Sequence, residues 1–261
     1  MTNSRDAMGT RAPAQIHWRF VSTGNDGYAK ALLETKTLMQ WLARISNSYA
    51  PGRTAEERIL LEFRADQAAF VTRRFGETLA LEMRMPALRM QFLENGRPAP
   101  HVLDPEEHSP AEVEAWLLVE LLHRGIDRSI FSKALPYGVD GLMTGDAKDH
   151  SPSSCREGLM ILTAWFQNAA RVLDAVGRDH GVTNAIIVCS PEMLNLSYMT
   201  DSESMLAELG FCPGSDQIPE PSFYRMETGG HGKRRYLKSS ELLAQADPAA
   251  AAIAFLVGDS K

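Results

Sequence analysis

Four side chains in this 261-residue chain are the best candidates for ligand chemistry: Tyr137, His150, Glu220 and Tyr224. Glu220 lies between Pro219 and Pro221 in the stretch 213–224, PGSDQIPEPSFY, where three prolines restrict the backbone. Residues preceding proline are pushed out of the helical region, so 213–221 is predicted to be an ordered, extended crossing. A carboxylate on so restricted a backbone is held in one place, and with Tyr224 it predicts the wall of a ligand pocket. The competing reading is a rigid crossing whose aromatics plug the core. Tyr137 and His150 belong to the longest unpatterned stretch, 135–153, together with Asp140, Asp146 and Asp149. A loop of that length supplies a second pocket wall.

Other chemistries find less support. Asp146, Asp149 and His150 are close in sequence, but their spacing fits neither an EF-hand nor a zinc motif, so no metal and no cofactor are expected. The cysteines Cys155, Cys189 and Cys212 are odd in number and widely spaced, which argues against a disulfide scaffold and for a reducing, cytoplasmic setting. Cys189 falls in an apolar run and is predicted to be a buried, inert thiol. There is no G-x-S-x-G elbow around Ser190, no Walker loop and no H-E-x-x-H. The run Gly229-Gly230-His231-Gly232-Lys233 has the composition of a phosphate cradle, but RRYL follows it where a helix would be needed.

Charge and composition narrow the classes further. The formal net charge of −6 disfavours a dedicated nucleic-acid binder. No apolar run approaches the roughly 18 residues of a membrane span, and 1–11 lacks the apolar stretch of a secretory signal. Residues 1–14 are small and polar, and are expected to form a frayed arm.

The elements that must position these side chains follow from periodicity. Leu32, Leu33, Leu38, Met39, Trp41, Leu42 and Ile45 recur at three- and four-residue steps, predicting a helix over 28–49. Period-two alternation over 59–63, 79–83 and 88–92 predicts neighbouring antiparallel strands, with Glu62, Arg64, Glu82, Arg84 and Arg89 on a solvated face. Ser109-Pro110-Ala111-Glu112 is a capping box opening a helix over 111–123, and Ser154-Cys155-Arg156-Glu157 is read the same way for a helix reaching about 180. Short strands are expected at 16–21, 128–134, 185–189 (central), 195–199 and 223–227. Helices are expected at 240–245 and from Asp247-Pro248 to 257. The fold class is α+β: an antiparallel β-meander with packed helices, with room for a mixed sheet in the C-terminal half. Residues 15–261 are expected to form one domain, any sub-lobe break falling in the proline-rich, polar stretch 96–109.

The 213–224 stretch resembles the PGxxxxPEPxFY segment of an uncharacterised bacterial family, through Pro213, Gly214, Pro219, Glu220, Pro221, Phe223 and Tyr224. Thr37-Leu38 with Trp41, Ser190-Pro191, and Ala246-Asp247-Pro248 with Phe255-Leu256 are similar to further segments of that family, in the same order. The resemblance implies a shared fold and a bacterial origin, and no activity. Where the family has a histidine and an FWG stretch after its Ser-Pro step, this chain has Glu192-Met193-Leu194-Asn195-Leu196.

Three function classes remain open on the sequence. The favoured one is a small-molecule-binding domain, with enzymatic activity as an extension. The second is a protein-interaction or structural module that docks through the sheet or a helix face. The third is an acetyltransferase-like enzyme, suggested by Leu209-Gly210-Phe211, although the glycine-rich pyrophosphate loop it needs is not found.

Overall fold

The computed structural model describes residues 16–22, 26–52, 54–139, 149–179, 186–199, 205–226 and 233–258. Helix α1 (Asp26–Tyr49) is followed by a short α2 (Ala55–Ile59), whose first turn is capped by the Thr54 hydroxyl. Strands β1 (Leu61–Arg64), β2 (Ala69–Val71), β3 (Leu79–Arg84), β4 (Arg89–Glu94) and β5 (Arg97–Leu103) then run as a meander. Helices α3 (Pro110–His123) and α4 (Arg156–Asp179) intervene before a second meander. Its strands are β6 (Ile186–Cys189), β7 (Leu196–Met199), β8 (Met205–Cys212), β9 (Ser222–Met226) and β10 (Arg234–Lys238). The chain closes with α5 (Ser239–Leu242) and α6 (Pro248–Val257).

The two meanders join through β1 and β6 into one ten-stranded sheet ordered β10-β9-β8-β7-β6-β1-β2-β3-β4-β5. Every strand pair is antiparallel, in the C-terminal half as well. The fold is therefore α+β, with β6 at the centre as expected. Alternation explains the layering. Leu61, Phe63, Leu81, Met83, Met90 and Phe92 project to one face and are buried with α1 and α4. Phe63, Phe70, Phe166, Phe211 and Phe223 form a chain of ring contacts with centroids 4.9–6.0 Å apart, carrying the core from the first meander to the second.

On the opposite face Arg84 and Arg89 are exposed and Glu62 and Arg64 half-buried, and the departure from the expected solvated surface is at Glu82. Glu62, Val71, Glu82 and Gln91 sit in one cross-strand row. Ala69, Val71, Ala80 and Leu93 form a small buried apolar cluster on that face. Glu82 is fully buried rather than solvated. Its Oε1 accepts from Arg84 Nε at 2.7 Å and its Oε2 has no partner. Apolar neighbours and the arching arginine exclude water there.

Several local readings are corrected. Residues 16–21 are not strand: the Asn168 amide takes the place of a partner strand, accepting from Arg19 N and donating to Arg19 O, both at 2.9 Å. The strand expected at 59–63 begins at Leu61, because Ile59 ends α2. The stretch 128–134 holds one 3-10 turn, Arg128–Ile130, capped by Asp127. Much of the 96–109 stretch, read as proline-rich and polar, is β5, paired to β4. Ser154 does not cap α4. A 3-10 turn over Pro152–Cys155 precedes the helix, and the Ser154 hydroxyl donates to Ser151 O. By contrast the Ser109/Glu112 box and the Asp247 cap are both formed. The arm expected at 1–14, residues 140–148 with Asp140 and Asp146, and the glycine run at 229–232 lie outside the described residues. No helix among the described residues is long and apolar enough to cross a membrane.

Candidate functional site

The 213–221 stretch forms a wall, but not as a simple extended crossing. Ser215 N donates to Ile218 O at 2.7 Å and Ile218 N to Ser215 Oγ at 3.1 Å, closing a turn in its middle. Gly214 has φ +146°, a conformation that side chains rarely adopt. The Tyr28 hydroxyl donates to Pro213 O at 2.7 Å and ties the segment to α1.

A cavity lies on each side of this wall. One, of about 410 Å³, is bounded by α1 through Tyr28, Leu32 and Leu33, by Met193 and Leu194, and by Pro219. It is mainly apolar, and Leu33 and Met193 are exposed at its rim. The other, of about 230 Å³, is lined by Asn195, Cys212, Tyr224, Arg234 and Tyr236. Met193, Ser215 and Asp216 line both, so the two are neighbours. In the smaller one, Arg234 lies over the Tyr224 ring at 4.7 Å, and Asn195 Oδ1 is shut off from solvent without a hydrogen-bond partner. Burial pushes the Tyr224 hydroxyl up to about 12 and also raises the Cys212 thiol. Both stay protonated at neutral pH and present hydrogen-bond donors, not nucleophiles.

Tyr224 is held by its cross-strand neighbour. It pairs with Gly210, and a Cβ built on Gly210 would meet the Tyr224 hydroxyl at 2.5 Å as well as the Leu196 carbonyl. The glycine of Leu209-Gly210-Phe211 is therefore accounted for by an aromatic ring lying across it, a familiar pairing in sheets. The transferase reading of this motif is left without structural support.

The other three candidates have scaffold partners. The Tyr137 hydroxyl donates to Gln40 Oε1 at 2.7 Å, and Gln40 Nε2 reaches Pro191 O at 3.2 Å. Burial raises the Tyr137 hydroxyl, with the Glu192 charge adding to it. His150 is buried, not on a solvated loop. Its backbone exchanges hydrogen bonds with His108 O and Glu107 N, and its Nδ1 faces Glu34 Oε1 at 3.1 Å. Because the carboxylate only accepts, Nδ1 is the donor in that contact, and the buried Nε2 has no partner. Glu220 points to α5, accepting from Ser239 Oγ at 2.7 Å, Ser240 N at 2.8 Å and Ser240 Oγ at 3.1 Å. Desolvation pushes its carboxyl up, but these hydrogen bonds outweigh that and hold it below the usual range. Of the four candidates, Tyr224 is the one that lines either cavity beside the 213–219 wall.

Sequence reading missed Asn195, Asp216 and Arg234. It also missed a trio at the far edge of the sheet, His101, Glu120 and His123. A third cavity, about 430 Å³, opens on the helix-free face beside Arg64, Arg73 and Arg74, over Ala80, Leu93 and Val188. The three cysteines are all free and buried, and burial raises the Cys189 thiol strongly.

Comparisons with protein-family models, with curated proteins and with solved structures returned no match for this chain.

Proposed function

We propose that this protein binds a small amphipathic molecule in the paired cavities beside the 213–219 wall. The observation that carries the reading is the convergence of Arg234, Tyr224 and Asn195 on one cavity beside that wall. Arg234 favours an anionic group, and the Tyr224 hydroxyl, which keeps its proton, supplies a hydrogen-bond donor. The larger cavity, lined by Leu32, Leu33 and Pro219, suits the apolar body of the same ligand and falls in the ordinary size range of ligand sites. Because Cys212 and Tyr224 hold their protons, the groups present favour recognition over covalent chemistry.

The test is a thermal-shift panel of small amphipathic carboxylates and phosphates, followed by titration of the best compound into four variants. A ligand at 100 times its dissociation constant adds about 2.7 kcal/mol of stability, which such a scan resolves. Affinity should fall in Asn195→Leu, Tyr224→Phe and Arg234→Gln and be unchanged in Glu220→Gln. Affinity indifferent to the first three would place the ligand elsewhere and sink the proposal.

A further inference from the structure

At the opposite edge of the sheet, His101 on β5 and Glu120 and His123 on α3 bring two imidazoles and a carboxylate together, with one ligating atom of each lying within 4.8 Å of the others. Glu120 and His123 are three residues apart on the helix and so share a face. His101, on the outermost strand β5, meets α3 at Glu120, its Nδ1 2.9 Å from Oε1. Both imidazoles turn Nδ1 to the same oxygen: Glu120 Oε1 is 2.9 Å from His101 Nδ1 and 3.7 Å from His123 Nδ1. Ligands bound tetrahedrally at roughly 2.0–2.1 Å stand about 3.3 Å apart, so these two separations bracket what a zinc ion requires.

The carboxylate is prepared for the task. Its side chain is 3% exposed, and its second oxygen, Oε2, is held by Arg124 Nη1 at 2.7 Å. Arg124 is itself fixed by the Phe92 ring beneath it and by Glu94 at 3.0 Å. Oε1 is thereby aimed and left to the two histidines. Their rings, 63% and 56% exposed, leave a path from solvent.

The geometry points to a divalent transition-metal site, zinc foremost, formed by His101 Nδ1, Glu120 Oε1 and His123 Nδ1. Two imidazoles and one carboxylate suit zinc, and also copper, nickel and cobalt, and disfavour calcium and magnesium, which take all-oxygen shells. Three protein ligands leave a fourth position open to water, the composition of sites that do chemistry rather than purely structural ones. Arg124 acts as a positioning residue by fixing the carboxylate from behind. A metal at Nδ1 requires each ring to carry its proton at Nε2, so a neutral imidazole only shifts its proton between nitrogens. Binding weakens at low pH because protons compete for the same ring nitrogens.

The test uses the untagged full chain, stripped with chelator and titrated with Zn²⁺ and then with Co²⁺ as a spectroscopic probe. One equivalent should bind, with the visible absorption of four-coordinate cobalt. Each of His101→Ala and His123→Ala should weaken zinc binding by about tenfold or more. Both histidines are exposed, so these variants keep the fold, and a melting curve for each confirms it. Binding weaker than about 0.1 mM, or unchanged affinity in the double histidine variant, would overturn the site.

Discussion

The two ends of the sheet treat a buried oxygen in opposite ways. At the β4–β5 end, both oxygens of one carboxylate, Glu120, are paired, Oε1 with His101 and Oε2 with Arg124, and a second imidazole, His123, stands 3.7 Å from Oε1. At the β8–β10 end, one amide oxygen, Asn195 Oδ1, faces none, although Arg234 and Tyr224 line the same cavity. The first arrangement is complete as it stands, with both carboxylate oxygens paired. The second leaves an acceptor unpaired behind the cavity wall. The proposed metal and the proposed ligand thus call on chemically different surroundings.

The largest expected effect lies at the β8–β10 end, where Tyr224 rests on Gly210. Gly210→Ala forces a methyl group against the Leu196 carbonyl and the Tyr224 hydroxyl, and should cost about 2–3 kcal/mol in urea unfolding. A loss below about 0.5 kcal/mol would mean that the ring is not held there, and the cavity wall would lose its anchor.

The β4–β5 end is expected to respond next. Glu120→Gln keeps the shape and removes the charge that His101 and Arg124 share, costing about 2 kcal/mol near neutral pH. Desolvation pushes the Glu120 carboxyl up, but hydrogen bonds from His101 and Arg124 and their charges more than offset it, so the group titrates below its ordinary range. The folded protein therefore binds this proton more weakly than the unfolded chain. The advantage over Glu120→Gln is full above the unfolded carboxylate value, near 4.3, and is lost as pH falls through the lower folded value. Unfolding curves of both proteins at pH 7 and pH 3 check this. A gap that does not narrow on acidification would contradict this account of the Glu120 carboxylate.

Smaller still is the effect of Glu220→Gln. The carboxylate caps α5 near the surface, so its loss should cost about 1 kcal/mol or less and leave ligand affinity unchanged. A drop in affinity with unaltered stability would move Glu220 from scaffold to pocket. Thiol labelling gives the mildest readout: Cys189, fully buried with its thiol raised, should react last of the three cysteines in native protein, and rapid labelling would show that the core around β6 opens.

Much of the scaffold was legible in the sequence because local signals agreed with the tertiary outcome. The α1 stripe, the Ser109 box, the Asp247 cap and the alternation in β3 and β4 all have local causes. β5 was hidden because Pro98 and Pro100 read as loop, yet proline is tolerated on an edge strand, where one side of the ladder has no neighbour. The second capping box failed because Pro152 starts a tighter turn just before α4. In the site, the prolines correctly marked Glu220 as fixed, but not what it is fixed to, since α5 arrives 19 residues later. Asn195 and Arg234 meet Tyr224 only through strand order, and His101 meets Glu120 only through an edge strand and the helix beside it. No spacing along the chain encodes those meetings.

The central claim, that the cavities beside the 213–219 wall take a ligand, is tested most directly by titration calorimetry of the best thermal-shift compound on wild type, Tyr224→Phe and Arg234→Gln. Melting temperatures are measured on the same samples. The cation at Arg234 predicts an affinity loss of about tenfold or more in Arg234→Gln, with melting nearly unchanged because that side chain is exposed. Equal affinity in all three proteins would contradict the account and return the segment to the role of scaffold.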